Sequence, residues 1–206
     1  MRTVLVKIEG IHGLLQHRFS EQAEVEGQEP TRTALGVKRG TPREEAEKVC
    51  YRDLEGNLYF PGSAISRLLR EAGSNHKSKG SRKSIKYIVP SAVFVPEDAI
   101  PLLNPITLER LADFEVDTRP VVNPYTKGRV MRHRPRIDRW AMEFSLEIDD
   151  EVLPLDFMQQ LLTEGGRRVG LGDYRPEKGG PFGRFRVISW DEKTISSNGN
   201  GNGLHT

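Results

Sequence analysis

Apolar and polar positions alternate cleanly in two parts of the chain. In RTVLVKIEGI, Val4, Val6 and Ile8 are separated by polar neighbours, which predicts a half-buried first strand. Over 139–148, Trp140, Met142, Phe144, Leu146 and Ile148 alternate with Arg139, Ala141, Glu143, Ser145 and Glu147, the strongest strand pattern in the sequence. The spacing turns helical at Ile65, Leu68 and Leu69, where Ser63 is the expected N-cap and Gly73 the stop. Phe157, Leu161 and Leu162 predict a second helix over 154–164. TPREEAEKV predicts a short helix with Thr41 as N-cap and Pro42 at its first position. YIVPSAVFVPED reads as a strand that Pro90 confines to an edge or bulge, and FGRFRVISW as the last strand.

In order these elements are βαββαβ. The expected fold class is α+β: a ferredoxin-like (RRM-like) βαββαβ domain with large insertions and a projecting hairpin around Asn123 to Arg136. One domain over 1–195 is expected, with insertions at about 13–50 and 74–130 and a disordered, low-complexity tail at 196–206. Such a sheet, backed by two helices, leaves one face free, the face expected to meet nucleic acid.

Composition narrows the function. A chain of 206 residues with 36% hydrophobic content builds one core. No apolar run approaches the roughly 18 residues of a membrane span, so a cytoplasmic protein with no membrane partner is expected. Cys50 is the only cysteine and the five histidines lack ligand spacing, so neither metal nor cofactor is expected.

The net charge of +2 does not mark a nucleic-acid binder, but its distribution does. No acid occurs over 73–96, which carries Lys77, Lys79, Arg82 and Lys83, and Asp138 is the only acid over 127–139, which carries Arg129, Arg132 and Arg134. Acids gather at 21–29, 44–55 and 143–156, so a positive and a negative side are expected. The stretch GGRRVGLGDYRPEKGGPFGRFRV holds seven glycines and six basic residues. Glycines such as Gly170 and Gly172 let backbone approach a ligand and leave N–H groups free for phosphate, while Arg167, Arg168, Arg175, Lys178, Arg184 and Arg186 supply countercharge. No GK[ST] is present, and the loop follows a helix instead of opening one, which points to a chain of phosphates over one nucleotide.

A helix, then a glycine-rich basic loop, then GRFRV resembles the C-terminal signature of the repeat-associated mysterious proteins, the RAMP superfamily of CRISPR-associated proteins. YRDLEGNLYFPGSAISRLLREAG and GRVMRHRPRIDRWAMEFSLEI are similar to two further segments of its guide-RNA-binding backbone subunits, in the same order. The resemblance covers about half the chain and places it on a short, divergent branch. It implies a subunit that polymerises head to tail with other copies of itself along a guide RNA. Complementary target nucleic acid and other effector subunits would be its further partners, in the cytoplasm of a prokaryote.

Ser63, Arg67 and Arg70, with Pro61 and Gly62, would contact the guide, and the basic hairpin would be a thumb lying across it. Target-cleaving members carry an acid before this region. Glu47 lies nearest, but an ion pair with a basic neighbour is the simpler reading, so the resemblance does not favour an enzyme.

Two alternatives compete with this reading. A guide-processing endoribonuclease would use His12 or His17 as general base. A stand-alone single-strand-binding protein of viral or chromosomal origin would stack bases on Tyr125 and Tyr174, with Tyr51 and Tyr59 as weaker candidates.

Overall fold

The computed structural model describes residues 1–18, 40–78, 80, 82–122 and 127–193. The acidic stretch at 21–29, Lys79, the Asn123-Pro124 turn with Tyr125, and the 196–206 tail lie outside the described residues.

The strands and helices run β1 (Arg2–Gly10), β2 (Leu14–Leu15), α1 (Pro42–Lys48), β3 (Tyr59–Pro61), α2 (Gly62–Ala72), β4 (Val93–Phe94) and β5 (Ala99–Pro101). They continue through β6 (Glu115–Val122), β7 (Arg129–Ile137), β8 (Ala141–Ile148), α3 (Leu155–Arg168) and β9 (Phe185–Lys193). The main sheet has the order β4-β8-β1-β9, with every neighbour antiparallel. With α2 between β1 and β4, and α3 between β8 and β9, this is the ferredoxin-like arrangement expected from the alternation.

Register explains the core. Val6 pairs with Phe144 and Ile8 with Met142, so the buried residues of both central strands share one face. Ile65, Leu68 and Leu69 of α2 and Met158, Leu161 and Leu162 of α3 are buried in the same apolar cluster. Each such side chain contributes roughly 1.5–3 kcal/mol on burial.

The other face is unlike that of a nucleic-acid platform. It carries the pairs Lys7–Glu143 (3.3 Å) and Arg186–Glu9 (2.9 Å), with Glu147 and Asp191 at neighbouring positions. Of the basic residues expected to meet phosphate, Arg186 alone among the described residues stands there, and it is paired with Glu9. This face therefore carries ion pairs and further acids instead of a run of cations.

A three-stranded sheet, β2-β7-β6, carries the hairpin, and α1 packs on it. Thr41 caps α1 through a reciprocal capping box with Glu44, as the sequence predicts.

Four local expectations change. Ser63 is not the N-cap of α2: the helix starts one residue earlier, with Pro61 at the cap position and no side-chain hydrogen bond. Pro90 lies in a single helical turn, Val89–Ala92, where proline near the first position removes no helical hydrogen bond. The basic stretch after α2, whose lack of helical periodicity predicts a mobile loop, is instead held where Ile85 is buried, Lys86 pairs with Glu71 (3.0 Å) and His76 lies 3.0 Å from Glu164. Finally, α3 runs past Glu164 through Gly165, Gly166, Arg167 and Arg168. A Cβ on Gly165 would stand 2.5 Å from Leu68 Cδ2, and one on Gly166 2.7 Å from the Phe185 carbonyl oxygen. Both glycines serve close packing of α3 on α2 and β9.

Candidate nucleic-acid interface

A cleft of about 240 Å³ opens between the start of α2 and the loop that follows α3. Gly62 sets the first wall. A Cβ there would lie 1.9 Å from the Glu97 carbonyl oxygen, so only glycine lets the 95–98 segment cross the helix start. The first turn of α2 has no side-chain cap and no acid, so the positive end of its dipole is not neutralised by its own residues. Pro61, Ala64, Arg67 and Leu68 line this wall, and Gly170, Leu171, Gly172 and Asp173 line the opposite one. His17, Tyr51, Arg175 and Glu177 also line it.

The glycine loop is a folded knot, not an open cradle. The Leu171 N–H donates to Gly183 O (2.9 Å), Gly183 N–H to Gly13 O (2.8 Å), and Asp173 N–H to Leu15 O (2.9 Å). Most of its donors are therefore spent within the protein. Gly172, at φ +75°, passes so near β2 that a Cβ would meet Leu15 O at 2.3 Å. Its own N–H has no hydrogen-bond partner among the described residues, and Gly172 borders the cleft.

The basic side chains divide into two groups. Arg175 donates to Gly172 O (2.9 Å) and to Glu177, and Lys178 lies 3.5 Å from Glu177. Arg134 is buried beside Asp173, and Arg70 pairs with Glu71. Among the described residues Arg67, Lys77, Arg82, Arg129, Arg132, Arg167 and Arg184 have no ion pair. Lys83 is exposed. Arg168 lies one helical turn from Glu164 and helps hold that carboxyl below its usual range.

Three guanidinium-bearing residues, Arg167, Arg168 and Arg184, line a second hollow of about 320 Å³ together with His12. The end of α3 and the residue before β9 bring them together. Ser63 and Tyr174 are exposed, Tyr174 with its ring 6.3 Å from that of Phe182.

Burial pushes the His17 imidazole below its ordinary pKa, helped by Arg134 and Arg132 and opposed by Asp173, whose Oδ2 lies 3.9 Å from Nδ1. Burial raises the Tyr51 phenol and pushes the Cys50 thiol up to about 12. The Glu47 carboxylate is bound by Arg52, which holds it below the usual range. Among the described residues no group of His, Cys, Asp or Glu is placed to hold a metal ion, and no helix is long and apolar enough to cross a membrane.

Sequence reasoning missed Arg119 and Asp173. Arg119 lies over the Phe182 ring (4.8 Å to the centroid) and beside Tyr174 (5.6 Å), and it pairs with the buried Asp117 (2.8 Å). The one available signal was an acid, Asp173, set within a basic loop.

No protein-family model matches the sequence, and no curated protein matches it. A solved chain described as "Type IV-B CRISPR Complex" is similar in structure, with a TM-score of 0.47 and 11% identity. That likeness spans 98% of this chain and 95% of that one.

Proposed function

We propose that the chain is a single-stranded RNA-binding subunit of an RNA-guided complex, a single inserted ferredoxin-like domain that lies along a guide RNA with other copies of itself. The observation that carries this reading is the pair of hollows beside the glycine loop to which unpaired arginines contribute. One joins the uncapped start of α2, Arg67 and the Gly172 N–H; the other joins Arg167, Arg168 and Arg184. Two such hollows suit successive phosphates of a strand better than one nucleotide. The order of the three sequence signatures supplies the link to RNA-guided complexes.

Within this reading Arg67, Arg167, Arg168 and Arg184 contact phosphate, with Lys77, Arg82, Arg129 and Arg132 extending the track. Arg134 and Arg175 hold the loop in shape. The β6–β7 hairpin is the element that crosses the guide and meets the target strand, in a prokaryotic cytoplasm. The test is to purify the protein from its cells and treat half with ribonuclease and half with deoxyribonuclease. A large particle holding RNA of uniform length, dispersed by ribonuclease alone, is expected. A bare monomer, or a particle dispersed only by deoxyribonuclease, contradicts the reading.

One observation favours a second reading, an RNA-cleaving cleft. His17, Asp173 and Tyr51 line the same opening, and an imidazole kept neutral by burial is suited to take a proton from a ribose 2′-hydroxyl. Cleavage of RNA that His17→Ala abolishes would install it; RNA recovered intact would remove it.

A further inference from the structure

The cleft between α2 and the glycine loop has an interior unlike its arginine-bearing edge. Arg67 lines it from an exposed position on α2. Tyr51, Phe60, Pro61, Ala64, Val169 and Leu171 give it apolar walls, of which Phe60, Val169 and Leu171 are buried. The Tyr51 ring is held T-shaped against those of Tyr59 (5.5 Å between centroids) and Phe60 (6.0 Å). A phosphate gains nothing from such walls and would share the space with the carboxylates of Asp173 and Glu177. Apolar walls around a few fixed polar groups suit a flat ring with a polar edge, and about 240 Å³ has room for a nucleobase.

Which base fits follows from the polar groups. Glu177 is taken up by Arg175 through Oε2 (3.0 and 2.6 Å), with Lys178 3.5 Å from Oε1. Asp173 is less engaged. Its Oδ1 accepts the Tyr174 N–H (2.9 Å), and its Oδ2 lies 3.1 Å from Arg134 Nε, which makes no hydrogen bond. Each carboxylate oxygen takes two hydrogen bonds, so both keep capacity for a ligand. The preceding residue adds a donor, the Gly172 N–H, which has no partner among the described residues. The Asp173 N–H donates to Leu15 O (2.9 Å), and Tyr174 holds φ at +46°, so this short turn is pinned in a backbone shape that costs energy beside the cleft. One fixed donor is therefore followed by a carboxylate. Guanine alone among the four RNA bases has the matching Watson–Crick edge, the acceptor O6 followed by the donors N1–H and N2–H. The second carbonyl of uracil would meet the carboxylate, and adenine and cytosine set a ring-nitrogen acceptor beside their amino group.

We propose that the cleft is a guanine-selective base pocket, in which O6 accepts the Gly172 N–H, N1–H and N2–H donate to Asp173, and Arg67 at the edge meets the phosphate of the same nucleotide. This rests on the reading of the chain as a single-stranded RNA binder and adds a base preference to it. Arg167, Arg168 and Arg184 hold the strand without regard to sequence, whereas this cleft reads one position of it.

The test is fluorescence anisotropy of the full chain with short single-stranded oligouridines that carry uridine, cytidine, adenosine, guanosine, inosine or 1-methylguanosine at one central position. The guanosine strand is expected to bind roughly tenfold more tightly than the uridine, cytidine and adenosine strands. Inosine, which lacks the N2 amino group, falls between them, and 1-methylguanosine, which lacks the N1–H, binds no better than uridine. Asp173→Asn removes the guanosine preference, read as the ratio of two affinities in one preparation so that a lower folded fraction cancels. The inosine and 1-methylguanosine strands make the same cut from the RNA side with wild-type protein. Equal affinities across the series, a preference for another base, or a guanosine preference that survives Asp173→Asn overturns the pocket and leaves the RNA reading standing. Absence of binding to every strand overturns both.

Discussion

Arg134 Nε lies 3.1 Å from Asp173 Oδ2, an ion pair without the alignment of a hydrogen bond, which joins the hairpin to the glycine loop. The arginine side chain is 8% exposed and the carboxylate 36%, so the pair is only partly screened. Asp173 also faces His17 across the cleft. One carboxylate therefore sets the relative position of the cleft wall and the hairpin.

Removing that carboxylate strands a buried guanidinium. Asp173→Asn is expected to cost about 1–3 kcal/mol in urea unfolding, below the cost for a fully buried pair because solvent reaches the aspartate. A loss under about 0.5 kcal/mol would mean that the pair does not brace the loop.

The two helix glycines make a graded prediction. Gly165→Ala drives a Cβ against the movable end of Leu68, whereas Gly166→Ala drives one into the Phe185 carbonyl and ring. Overpacking of this kind costs about 1–3 kcal/mol, and Gly166→Ala should sit at the upper end. Thermal unfolding of both variants checks the order; equal midpoints would contradict the packing described.

How much of this was legible beforehand follows from which signals are local. Val4, Val6 and Ile8 against Phe144, Leu146 and Ile148 gave the central strands through period two, and Thr41-Pro42 with Glu44 gave α1 through capping chemistry. The end of α3 was misplaced because Gly165 and Gly166 read as breakers, while their role depends on Leu68 and Phe185, which no local pattern reveals. The division of the arginines was hidden for the same reason. Arg175 and Arg167 look alike in a basic stretch, yet Glu177 binds the first and no carboxylate among the described residues pairs with the second.

Acid should destabilise the protein through His17 before the carboxylates respond. Burial keeps its folded-state pKa below 6.5, with Asp173 opposing and Arg134 and Arg132 assisting, so the unfolded chain takes the proton first as pH falls. That stability is present above 6.5 and lost as pH drops toward the folded value. Glu47, Glu71 and Glu164 lie below their usual range and stay ionised in this window. The urea midpoint of wild type should fall more between about pH 7.5 and 5.5 than that of His17→Asn. Parallel falls would contradict the burial of the imidazole.

The most direct test of the central claim is the salt dependence of affinity for a single-stranded RNA. Each phosphate contact adds about 0.7 to the slope of log affinity against log salt. Arg167→Ala/Arg168→Ala should lower the slope by roughly 1.4. Arg175→Ala, which removes a guanidinium already held by Glu177 and Gly172, should leave it unchanged. Equal slopes for wild type and the double variant would contradict phosphate binding at the end of α3.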